Sequence, residues 1–153
     1  MECVNNSFPG RANKTILLDV LNTDIKDDDT VVIFWTYSQR GIIYDIKNYT
    51  NFSPHMPDNE LQRMYYSLHN QYDLMMQSKL DIHHANLFLS TKKCKVYNFF
   101  IDPLLIFNSS GIDVEMKHIG IKSFKIDEAS DKMHPGVLSQ EKLSNIILSH
   151  ISK

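Results

Sequence analysis

Cysteine is nearly absent from this chain, with Cys3 and Cys94 the two examples among 153 residues. Two thiols so placed make neither a disulfide framework nor the paired spacing of a zinc site. The fold must therefore rest on a hydrophobic core, and the simplest setting is a reducing compartment. Glycine and proline are scarce as well, five of each. The glycines stand singly and none opens a helix in the required context, which excludes Walker-type and dinucleotide phosphate loops. The Gly-x-Ser-x-Gly elbow and the His-Glu-x-x-His helix are also missing. No apolar run approaches the ~18 residues of a membrane span, and Met1 to Thr15 holds no stretch of signal-peptide length. A formal charge of −2 argues against a nucleic-acid coat and against an acidic solvated tail. These absences imply a protein without membrane contact, working in the cytoplasm or nucleus.

What is present is the composition of one folded domain, 42% apolar and 22% charged. A chain of this length buries about 70% of its unfolded surface and needs no staple. It favours Phe, Tyr, Met, Ile, Asn and Lys over Gly, Ala, Arg and Pro. The first set has A/T-rich codons, which points to an A/T-rich genome such as that of a large DNA virus, a yeast, a protozoan or a phage.

Residues 1–13 are polar, broken by Pro9 and Gly10, and read as a mobile arm, with a single domain over 14–153. Thr15 to Leu21 is too short for periodicity to decide, and the acidic turn Asp27-Asp28-Asp29 tips it towards a strand. Val31 to Tyr37, a Ser38–Gly41 turn and Ile42 to Ile46 read as a hairpin. Asp58 is placed to cap a long helix ending near Leu80. Its series Leu61, Met64, Tyr65, Leu68, Tyr72, Met75, Met76 repeats at helical spacing and marks a core-facing stripe. Asn86 to Ser90 and Lys95 to Ile101 read as a second hairpin. Ile112, Val114 and Met116 alternate with Asp113, Glu115 and Lys117 as a half-exposed strand. Ser139 caps a final helix whose stripe is Leu143, Ile146, Ile147 and Ile151. The economical fold is α+β, one mostly antiparallel or mixed sheet with a long central helix and a C-terminal helix packed on one face.

Few residues suggest chemistry. Cys94 sits in a lysine-rich turn without a partner in sequence, and His69, His83 and His84 are not spaced as metal ligands. Asp102 ends an apolar strand and Glu115-Met116-Lys117 lies on the strand after the next turn. This order of acid and Glu-x-Lys resembles the PD-(D/E)xK nuclease superfamily, although Asp102-Pro103 reverses the Pro-Asp order. The resemblance implies Asp102 and Glu115 holding Mg²⁺ or Mn²⁺, Lys117 positioning the attacking water, and nucleic acid as substrate. Residues 86–126 carry six lysines against three acids, which would suit phosphate and equally suits protection of an exposed sheet edge.

The leading reading is instead a non-enzymatic interaction domain, with no cofactor or metal and with a protein partner or a second copy as ligand. If the series from Leu61 faces the core within roughly 60° of its centre, Tyr66 falls near 140° and Leu74 near 220°. Arg63, Tyr66, Asn70 and Leu74 then form an outward stripe of the residue types found at binding hot spots.

Overall fold

The computed structural model describes residues 3–7, 10–44, 49–53, 60–107, 115–130, 132 and 134–152, and the side chains of Tyr49 and Glu115 fall outside that description. The chain runs α1 (Asn13–Asn22), β1 (Thr30–Trp35), β2 (Gly41–Tyr44), β3 (Tyr49–Phe52), α2 (Glu60–Leu68) and α3 (Gln71–Ser90). It continues through β4 (Lys95–Phe100), a 3₁₀ turn (Pro103–Leu105), β5 (Glu115–His118), α4 (Ile121–Phe124) and α5 (Val137–Ile151).

The expected single antiparallel sheet is not what forms. Three strands make a parallel sheet in the order β1-β4-β5, while β2 and β3 make a separate antiparallel pair. The physical reason is legible in β1, whose run of valines, isoleucine and aromatics lacks alternation. Strands covered on both faces, as parallel strands usually are, read this way. Ile33 and Trp35 face a core built with Leu17, Val20, Ile82, Ala85, Leu89 and Phe100, so α1 and α3 cover that side. Phe34, Tyr97 and Phe99 face the other side, where Leu143, Ile146 and Ile147 of α5 pack with Phe124. Helices thus lie on both faces rather than one.

Two segments read as strands are helical. Residues 15–21 lie within α1, whose buried row Asn13, Leu17, Val20 has helical spacing once Asn13 is counted as an inward residue. The Asn13 carboxamide earns that place by accepting from Thr36 N–H at 2.9 Å at the end of β1. Ala12 and Asn13 are buried, and Arg11 pairs with Asp19, so the chain joins the fold just before the point where the arm was expected to end. Residues 86–90 form the last turns of α3 rather than a hairpin arm.

The long helix expected up to Leu80 is two helices. The chain breaks at His69–Asn70, where Asn70 is extended and its side chain accepts from Asp73 N–H at 3.0 Å. The Asp73 carboxylate returns a bond to Asn70 N–H at 3.3 Å, completing a capping box that starts α3. The cap proposed at Asp58 and the first half of the strand expected at residues 112–116 lie outside the described residues.

Helix α2 is held on the β2–β3 pair by aromatic edges. Phe52 meets the rings of Tyr65 and Tyr66 at centroid distances of 5.0 and 5.5 Å. Gly41 makes room for this contact, since a Cβ there would stand 2.6 Å from the Phe52 ring. At the other end of the chain, Ser139 is a buried first-turn residue of α5. The cap comes from Asp127, which accepts from Ser139 N–H at 2.7 Å and Leu138 N–H at 3.1 Å. Those bonds, led by the Ser139 hydroxyl, hold the Asp127 carboxyl below its ordinary range.

Candidate functional site

Much of the apolar row expected to be core is on the surface, although Tyr65 is half-buried and Met75 packs against the interior. Leu61, Met64 and Leu68 on α2 are exposed, and so are Tyr72, Met76 and Leu80 on α3. Leu68 and Tyr72, which flank the break, are 70% and 65% exposed. The inward side of α3 is Leu74, Ser78, Asp81, Ile82, Ala85, Asn86 and Leu89. Tyr65 of α2 and Leu74 and Ser78 of α3 line one shared cleft over β2. Tyr72, Met76 and Leu80 lie on the side of α3 away from it, while Leu61, Met64 and Leu68 lie on the flank of α2 beside Tyr65.

The stripe expected to face outward behaves differently, residue by residue. Leu74 is 5% exposed and belongs to the interior, because the helix is rolled with its mixed polar face inward. Tyr66 is half-buried and its hydroxyl donates to the Gln39 carbonyl at 2.8 Å. Burial, with Tyr65 beside it, pushes the Tyr66 phenol up to about 12. Arg63 is exposed, and Asn70 is exposed but spends its side chain on the capping box.

Asp102, Glu115 and Lys117 lie on neighbouring strands at different heights. In the parallel register Glu115 pairs with Tyr97 and Lys117 with Phe99. Asp102 lies in a bend two residues beyond the end of β4, five residues past Tyr97 and three past Phe99. Its carboxylate is committed within the chain. One oxygen accepts from Ser38 N–H at 3.1 Å and from the Ser38 hydroxyl at 2.8 Å, and the other caps the 3₁₀ turn through Leu104 N–H at 3.0 Å. Among the described residues no group of three or more His, Cys, Asp or Glu is placed to hold a metal ion.

Sequence reasoning missed a polar cluster around the shared cleft. Asp81 is largely buried and pairs with Lys14 at 3.2 Å. Burial raises its carboxyl above the ordinary range, and Lys14 only partly offsets this. Burial raises Tyr65 and lowers Arg40 in the same region. The cleft they line measures about 30 Å³, room for a water or two and far below a typical substrate pocket. Nothing in the sequence marks this cluster, because its members are scattered from residue 14 to residue 81. Cys94 is half-buried, and burial pushes its thiol up, away from the thiolate a nucleophile needs.

No family model, curated protein or solved structure matches this chain. The functional reading therefore rests on the chain's own surface. Among the described residues no helix is long and apolar enough to cross a membrane.

Proposed function

We propose that this chain is a non-enzymatic protein–protein interaction domain, an intracellular accessory or adaptor module that docks through the outward row of α2 and α3. The observation that carries the reading is Leu61, Met64, Leu68, Tyr72, Met76 and Leu80 standing exposed at helical spacing. A solvent-facing helix surface is ordinarily polar, and six large apolar side chains there are covered most economically by another protein. Two free cysteines suit the cytoplasm or nucleus.

The test is the triple variant Leu68→Ser, Tyr72→Ser, Met76→Ser, compared with the parent by apolar-dye binding and melting in protein dilute enough to exclude self-association, and by affinity capture from cells that express the full chain. Dye binding and the captured set should both be lost while the melting temperature holds. A variant that melts several degrees lower would show that the row packs inside, and an unchanged captured set would show that it is inert surface.

A further inference from the structure

Resting on that docking reading, we infer that the occupant of the row is a second copy of this chain, related by a two-fold axis beside Asn70. An interface across a two-fold axis must be self-complementary: if residue i meets residue j of the other copy, then j also meets i. The six residues nearest the break have that property, while Leu87, also exposed on α3, lies beyond the length of α2. Counting from Asn70, Leu68 and Tyr72 lie two residues to either side, and Met64 and Met76 lie six to either side. Leu61 and Leu80 lie nine and ten away. With both rows facing out of the plane of the α2–α3 elbow, a two-fold axis parallel to its bisector and displaced from that plane exchanges the directions of the arms. It therefore lays α2 of one copy on α3 of the other and matches Leu68 with Tyr72, Met64 with Met76 and Leu61 with Leu80.

Charge follows the same symmetry. Glu60 is ten residues before Asn70 and Lys79 nine after, so each end of the interface brings one carboxylate against one ammonium. Neither has an ion-pair partner among the described residues, and Lys79 rests its ammonium 5.9 Å from the Phe107 ring centre. No like charges meet at the axis, where Asn70 and Gln71 are neutral. The six side chains expose roughly 650 Å² per copy, close to the about 800 Å² per partner of a standard specific interface once flanking atoms are included. A different protein would cover the row equally well but would not require its spacing to mirror about Asn70.

The experiment is light scattering and sedimentation of the full chain from about 1 to 100 µM, a range that spans ordinary dimer affinities. The expected result is twice the 17.8 kDa chain mass. Leu68→Glu should return it to a monomer with an unchanged circular dichroism spectrum. Glu60→Lys and Lys79→Glu should each weaken the dimer roughly threefold, and the double variant should restore it. The register is tested separately in a Cys3→Ser, Cys94→Ser background. Oxidising a mixture of Met64→Cys and Met76→Cys chains should give a cross-linked pair that neither chain gives alone. A wild-type chain that is monomeric throughout, or a dimer indifferent to Leu68→Glu, overturns the second copy. A dimer lost with Leu68→Glu but never cross-linked in the mixture overturns the two-fold at Asn70. A monomer whose dye binding and captured partners still vanish in the triple variant leaves the docking reading standing without the second copy.

Discussion

The roll of α3 makes a sharp prediction, because Leu68 and Leu74 exchange roles between the helical pattern and the fold. Leu74 is 5% exposed, whereas Leu68 is 70% exposed. Leu74→Ala removes buried methyl groups and leaves a cavity that neighbours fill only in part, a change costing about 3 kcal/mol. For a chain of this size each kcal/mol lowers the melting temperature by about 2–4 °C, so the expected drop is about 6–12 °C. Leu68→Ala removes atoms already in water and should stay within about 0.5 kcal/mol. The assay is urea unfolding followed by far-ultraviolet circular dichroism, in protein dilute enough that association adds nothing. Leu74→Ala should shift the midpoint with an unchanged slope. A Leu68→Ala cost equal to or above that of Leu74→Ala would refute the orientation and return the Leu61 series to the core.

Two further outcomes test the interior. Asp102→Ala should cost about 2–4 kcal/mol by leaving the Ser38 amide and hydroxyl and the Leu104 amide without their acceptor, and melting should be the same in Mg²⁺, Mn²⁺ or chelator. A metal-dependent rise abolished by Glu115→Ala would instead favour the nuclease chemistry. Asp81 holds its proton to higher pH folded than unfolded, so its contribution to stability is full at acid pH and is lost as pH rises through the folded value. Asp81→Asn stays neutral throughout, and its stability relative to the parent should grow between acid and neutral pH. Relative stability that falls between acid and neutral pH would mean that the Lys14 ion pair outweighs burial.

The sequence is most informative where one side chain type decides the local structure. The strand character of Val31 to Trp35 and of Lys95 to Phe100 is plain from β-branched and aromatic residues. Their pairing is not plain, since parallel and antiparallel partners use the same residues and the choice is made by a crossover some sixty residues long. The α5 stripe is legible because its inward residues Leu143, Ile146 and Ile147 are all apolar. The break before α3 is also written locally, as Asn70 followed three residues later by Asp73, but a continuous apolar periodicity across it hides the signal. Helix α1 is obscured by Asn13 and Thr15, which are buried yet polar. Asp102 has the look of a metal ligand in the sequence, and only its contact with Ser38, sixty-four residues away, gives it a structural role.

The same principle explains why α3 is oriented with its apolar row outside. Its inward side carries Leu74, Met75, Ile82, Ala85, Phe88 and Leu89, and its outward side Tyr72, Met76, Leu80 and Leu87. Transfer of apolar area scales with that area, so it favours the observed roll. The polar residues favour it as well. Ser78 donates to the Ser38 carbonyl at 3.4 Å, Asp81 pairs with Lys14 at 3.2 Å, and Asn86 accepts from Asn98 at 3.0 Å. Asn98 in turn accepts from the Trp35 indole at 2.7 Å. Trp35 can only donate, so the direction of that chain is fixed and the Asn86 amide nitrogen is left as its one unpartnered end. Half a turn of roll would take Ser78, Asp81 and Asn86 away from these partners. The Asn98 amide would then lose its acceptor in the interior, and each such loss costs about 1–3 kcal/mol. Several of these add to the apolar preference, so hydrogen bonding and apolar burial select the same roll. The apolar row is left on the surface as the consequence, and the free energy of covering it remains available to a docking partner.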